Sequence, residues 1–120
     1  MIKAVTDLEV FNLSYGLALD IFEISRKFPK EEKYSLTDQV IRSSRSICAN
    51  IAEGWGKRIY EADFKKHLVY SMGSIEETKL WLSFGKECGY ISIEEFFHLL
   101  KKLEEAGRKI YLLHKNWKSL

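Results

Sequence analysis

Asn50-Ile-Ala-Glu-Gly-Trp-Gly-Lys-Arg58 separates two long runs of helical periodicity, and its reading decides how the chain is organised. Before it, Leu36, Val40, Ser43, Ile47 and Ile51 recur at steps of three and four. After it, Phe64, Leu68, Ser71, Ile75, Thr78 and Leu82 do the same. That spacing gathers apolar and small residues on one helix face, so one helix ends in this stretch and another begins. The pattern predicts an end at about Glu53, with Gly54 or Gly56 taking the positive φ that follows a last helical turn. Lys57 and Arg58 then sit near the negative end of the helix dipole. Asn50 and Glu53, beside apolar residues, are expected to order this hinge through hydrogen bonds rather than to catalyse. Trp55, between the glycines, reads either as a stacking platform for a base or, the favoured reading, as a residue that anchors a helix corner or fills a neighbour's pocket.

Working outward, the first helix is expected over about Asp7 to Lys27, stopped by Pro29, which disfavours helical geometry at Phe28. Its polar residues Glu9, Asn12, Asp20, Glu23 and Lys27 form one narrow stripe and apolar residues cover most of the rest. The second helix follows Ser35-Leu-Thr-Asp38, a capping sequence, and its many small residues permit close helix approach. The third spans about Tyr60 to Cys88 and carries a second apolar facet at Trp81, Phe84 and Cys88, with Gly89 as its terminating glycine. Ser92-Ile-Glu-Glu95 is a capping box opening a fourth helix, in which Phe96, Leu99, Leu103, Ala106, Ile110, Leu113 and Trp117 keep heptad spacing. Helix 1 and the Trp81 facet offer more apolar surface than one core uses, which predicts self-association.

One all-α domain over residues 1–120 follows, with short connections favouring an antiparallel up-down-up-down four-helix bundle. That topology gathers Lys3, Lys57, Arg58, Lys115 and Lys118 at one end and Glu31, Glu32, Asp38, Glu87, Glu94 and Glu95 at the other. The whole-chain balance of nineteen basic and seventeen acidic residues, net +2, does not by itself mark a nucleic-acid binder. Cys48 and Cys88 lack metal-binding spacing and read as buried free thiols, in keeping with a reducing cytoplasm. No segment approaches the ~20 apolar residues of a membrane span, and the N-terminus lacks signal-peptide character. A cytoplasmic protein with no membrane association is expected.

Signals for an enzyme are weak. Gly54-Trp-Gly56 lacks the third glycine of a dinucleotide loop and follows a helix where that loop follows a strand. Glu95-Phe-Phe-His98 has the spacing of a di-iron half-site but occurs once, and its flanking residues define the core face. His67 and His114 have no carboxylate or cysteine at ligand spacing. No catalytic, metal or cofactor residue is expected. Arg42 and Arg45 share a helix face and with Lys57, Arg58, Lys115 and Lys118 form the candidate phosphate contacts. The favoured alternative pairs Arg42 with Asp38 and Arg45 across a helix or subunit contact.

Phe28-Pro29 with Glu32 and Tyr34, Leu36-Thr-Asp-Gln39, Arg42, Ser46-Ile47, Asn50-Ile-Ala-Glu-Gly54, Gly56-Lys-Arg58, Phe64, Leu68, Gly73-Ser74 and Gly89-Tyr90 together form a recognisable set. Over nearly its whole length the chain resembles the small four-helix-bundle proteins encoded within intervening sequences of bacterial large-subunit ribosomal RNA genes. It departs at Ile41-Arg42, where relatives look to carry two arginines, and at Arg45, where they look apolar. The resemblance implies a homo-oligomeric ring, with a homopentamer the best choice, and kinship with accessory proteins of diversity-generating retroelements that look to bind nucleic acid. The resulting expectation is a non-enzymatic helical module that self-associates and binds RNA through its basic end. A scaffold that contacts only protein partners is the alternative.

Overall fold

The computed structural model describes residues 1–119. The described residues hold four α-helices and no strand: α1 (Glu9–Ser25), α2 (Leu36–Gly56), α3 (Glu61–Glu87) and α4 (Ile93–Asn116). Short 3-10 turns at Val5–Asp7 and Lys30–Glu32 precede α1 and α2. Helix α1 starts and stops two residues inside its expected span. Its last residue, Ser25, turns its hydroxyl back to the Phe22 carbonyl at 2.8 Å. The amides of Arg26, Lys27 and Phe28 then reach back only three residues, tightening the chain before Pro29.

Each helix packs on two others: α2 on α1 and α3, and α4 on α1 and α3. Phe64, Leu17, Ile21, Ile47, Ile51, Leu68, Ile75, Leu82, Leu103 and Ile110 fill the centre. Each such side chain contributes about 1.5–3 kcal/mol on removal from water. The most extensive contact is between α2 and α3. Along it, position 43 lies against 78, 47 against 71, 50 against 67 and 54 against 64, so numbers rise on one helix as they fall on the other.

Small residues make this seam tight, and hydroxyls make it polar without leaving it unpaired. Ser71 donates to the Ile47 carbonyl at 2.7 Å, and Thr78 Oγ1 lies 2.9 Å from Ser43 Oγ and 2.8 Å from the Ser74 carbonyl oxygen. All three residues are buried. A bond from α3 to a carbonyl of α2 demands close backbones, and larger side chains at these positions would separate them.

The expected hinge is corrected here. Helix α2 runs through Gly54 and ends at Gly56, three residues beyond the expected stop, and neither glycine has positive φ. Gly54 is a packing glycine: a Cβ there would lie 2.7 Å from the His67 Cβ and 3.3 Å from the Phe64 carbonyl oxygen. Gly56 has open space around it. The positive φ belongs to Gly89, at +78°. There the amides of Gly89 and Tyr90 reach the carbonyls of Lys86 at 3.0 Å and Gly85 at 2.8 Å, the paired bonds of a Schellman ending.

The other turns are fixed by side chains. Ser92 accepts from the Glu95 amide while Glu95 accepts from the Ser92 amide, completing the capping box. Glu95 also pairs with Lys27, just past the end of α1, and that contact, first, with the Ser92 amide lowers its pKa. Glu32 accepts from Ser35 and from the Tyr90 hydroxyl, tying the α1–α2 connection to the end of α3. Its carboxyl is lowered by these bonds, Ser35 first. The Tyr90 phenol, donating to that carboxylate, is pushed up to about 12. The cysteines depart from expectation: Cys48 is only part-buried and Cys88 is exposed.

Because Gly54 and Gly56 stand two residues apart in one helix, they separate close packing from turn formation. Gly54→Ala is expected to destabilise by about 1–3 kcal/mol through overpacking against α3. Gly56→Ala is expected to be neutral or slightly stabilising, since alanine lowers unfolded-chain entropy without meeting a neighbour. Urea midpoints of both variants check this, and equal loss at the two positions would contradict the packing role.

Candidate nucleic-acid interface

The α2–α3 corner is built on three aromatic rings. Trp55, only 8% exposed, meets Phe64 and Trp117 edge-on with centroids 6.4 and 5.8 Å away, and Phe64 and Trp117 are themselves 4.8 Å apart. Trp55 is thus the corner anchor, with too little free surface to serve as an open stacking platform. Over its ring lies the Arg58 guanidinium, 4.0 Å from the centroid, with Nη1 donating to the Trp55 carbonyl at 3.0 Å. A cation over an indole is attracted by the ring quadrupole, so Arg58 is positioned before any partner arrives.

The C-terminal residues close this corner. Ser119 donates through its hydroxyl to the Arg58 carbonyl at 2.7 Å and through its amide to Glu61 at 3.1 Å. The Glu61 carboxyl also pairs with Lys65 at 3.3 Å, and its pKa is lowered, by the Ser119 amide first and then by Lys65. Between the chain termini and the corner lies an open cavity of about 510 Å³, whose walls include Ile2, Trp55, Arg58, Ile59, Trp117 and Lys118. Arg58 and Lys118 are its charged wall residues, both cationic.

Lys57 points elsewhere. Its Nζ is 3.2 Å from Glu53 Oε2 and 3.2 Å from His67 Nε2, while Glu53 Oε2 is 3.6 Å from that nitrogen. His67 Nδ1 lies 3.2 Å from Asn50 Oδ1, and Asn50 Nδ2 donates to the Ser46 carbonyl at 2.9 Å. Asn50 therefore presents its oxygen to the ring, so Nδ1 carries a proton, and when the ring is neutral Nε2 accepts from Lys57. His67, without an expected partner, is thus a buried member of a four-residue network. Asn50 and Glu53 on α2 and Lys57 at its C-cap recur at helical spacing, and counting outward from the corner brings His67 opposite Asn50. That combination was the available signal.

The six candidate phosphate residues do not form one surface. Arg42 and Arg45 lie on α2, twelve to fifteen residues before its C-cap Lys57, a rise of ~18–23 Å. Arg45 sits over the Phe22 ring of α1 at 5.6 Å, a cation–aromatic contact across the helix pair and not an ion pair. Arg42 is exposed, and the expected pair with Asp38 does not form among the described residues. Lys115, in the last turn of α4, and Lys118 are exposed near the corner. Lys57 is partly neutralised by Glu53, leaving Arg58, Lys115 and Lys118 as the cations best placed at this end. No group of three or more histidine, cysteine, aspartate or glutamate side chains among the described residues could hold a metal ion. No described helix is long and apolar enough to cross a membrane.

The network fixes a ring tautomer that can be observed. Nitrogen-15 NMR is expected to show neutral His67 protonated at Nδ1, and Asn50→Ala to cost about 1–2 kcal/mol by leaving that donor unpaired. A neutral ring protonated at Nε2 would contradict the arrangement.

Residues 6–112 match the model of the 23S rRNA-intervening sequence protein family. The fold is similar to the crystal structure of a protein of unknown function from the S23 ribosomal protein family of Bacteroides thetaiotaomicron VPI-5482, with a TM-score of 0.81 and 26% identity. That likeness covers 89% of this chain and 99% of the other. No curated protein matches the chain. With the corner motif Asn50 to Arg58 lying inside the matched span, the chain belongs to the 23S rRNA-intervening sequence protein family.

Proposed function

We propose that the chain is a non-enzymatic, self-associating antiparallel four-helix bundle that binds RNA through its basic end. The observation that carries the RNA reading is the convergence of Arg58 and Lys118 on one open cavity beside Lys115 and the N-terminus. Phosphate contacts of this kind supply sequence-independent affinity, and the name of the family supplies an RNA gene context. The α2–α3 pairing, the ion pairs from α1 to α4 (Glu9 with Lys109, Asp20 with Lys102) and that of Lys27, just past α1, with Glu95 support the antiparallel arrangement. So does the short connection at each corner.

Self-association is supported by apolar side chains left facing water. Tyr15 and Leu19 on α1 are 54% and 52% exposed, and Phe84 on α3 is 49% exposed. They lie on different helices, so a contact joining the α1 face of one copy to the α3 facet of another would be heterologous, the kind of contact that forms a ring when its rotation closes. A ring would repeat the basic end in every subunit. The open groove of about 430 Å³ with Tyr34, Trp81 and Phe84 in its walls favours the second reading, a protein-binding scaffold with no nucleic-acid role.

Salt dependence separates the two readings. Fluorescence anisotropy with labelled RNA is expected to show binding at ~50 mM salt that falls steeply by ~200 mM, with about 0.7 of logarithmic slope per phosphate neutralised on a single strand. Lys115→Glu with Lys118→Glu should flatten the slope while circular dichroism stays unchanged, because both residues are exposed. Lys57→Glu is a poorer test, since it would set a second carboxylate beside Glu53. Absence of binding at ~50 mM salt would leave the scaffold reading in place, and binding indifferent to the double variant would overturn the basic end as the RNA contact.

A further inference from the structure

Resting on the RNA reading, we propose that the corner cavity accepts one unstacked nucleotide of single-stranded RNA, its phosphate on Arg58 and Lys118 and its base against Ile2, Ile59 and Trp117. The cavity, about 510 Å³, falls within the ~300–1,000 Å³ usual for small-ligand sites. Its composition is selective. Apolar and aromatic wall residues stand beside two cations, and no aspartate or glutamate contributes to the described wall. An anion with a flat apolar portion answers both features at once.

Arg58 supplies the preorganised part. Its guanidinium is held over Trp55 at 4.0 Å, and one nitrogen is committed to the Trp55 carbonyl. Five N–H donors in a planar fork leave others for phosphate oxygens, and holding the fork in advance reduces the entropy lost on binding. Glu61, beside this corner, competes weakly because Lys65 and the Ser119 amide already occupy its carboxylate.

The apolar side is otherwise hard to account for. Ile59 is 75% exposed and Ile2 45% exposed, although both are wall residues of the cavity. The Trp117 ring nitrogen is buried with no hydrogen-bond partner among the described residues. A splayed base can cover such a wall, whereas the bases of an A-form duplex remain stacked and present phosphates and ribose hydroxyls instead. The cavity thus adds strand selectivity to an electrostatic end that would otherwise bind either form.

Trp81 lies on the far part of α3, so Trp81→Phe leaves Trp55 and Trp117 as the fluorescent reporters at the corner. This protein would be titrated at ~50 mM salt, which favours phosphate contacts, with a decamer of oligoadenylate and with a blunt RNA duplex of matched length. The single strand is expected to change corner fluorescence and to bind roughly tenfold tighter or more, the scale of one base-stacking contact. Ile59→Ser, which preserves charge, should remove most of that preference while duplex affinity and circular dichroism hold. Arg58→Lys should weaken it by loss of the planar fork. Equal affinity for the two RNAs, or a preference untouched by both variants, would overturn the cavity assignment while sparing the broader RNA reading. Failure of both RNAs to bind would overturn the two together.

Discussion

The missing side chain at Gly54 sets how closely α2 and α3 can lie, and much of the molecule follows from that distance. With a Cβ position only 2.7 Å from that of His67, anything larger than hydrogen would force the helices apart at the corner. The seam then continues through Ser43, Ile47, Ser71 and Thr78, where hydroxyls span between helices to groups that a wider gap would put out of reach. Protein interiors pack at crystal-like density, so a shift at one end of such a seam is transmitted along it.

Close approach of α2 and α3 also positions the chemistry of the corner. It buries His67 between Asn50 and Lys57 and lets Trp55, Phe64 and Trp117 pack as a three-ring cluster. That cluster receives the end of α4 and supports Arg58 from below. Away from that seam, Tyr15 and Leu19 on α1 and Phe84 on α3 stay exposed.

Much of the fold was legible because period and punctuation agreed. The four helical runs, the Ser92 capping box and the terminating role of Gly89 all appear as local patterns; the box and Gly89 have the expected geometry, and the helices occupy the expected runs with shifted ends on α1 and α2. Gly54 misled because a glycine near a helix end has the same sequence appearance whether it turns the chain or admits a neighbour. Only the opposing His67 and Phe64 distinguish the two uses. Arg42 was ambiguous for a similar reason: helical spacing to Asp38 permits an ion pair without requiring one, and exposed pairs contribute little. The Arg58–Trp55 stack and the Ser119 ties depend on side-chain placement across the corner, which no local period encodes.

The proposed self-association requires the exposed side chains Tyr15 and Leu19 on α1 and Phe84 on α3 to meet between copies. Burying Tyr15, Leu19 and Phe84 against another copy would remove apolar area that costs roughly 25 cal/mol for each Å² left in water. Sedimentation equilibrium at micromolar concentration tests this most directly. The account predicts a mass that is a multiple of 14.1 kDa, lowered toward the single-chain value by Leu19→Glu. A wild-type mass of 14.1 kDa across the concentration range would contradict it.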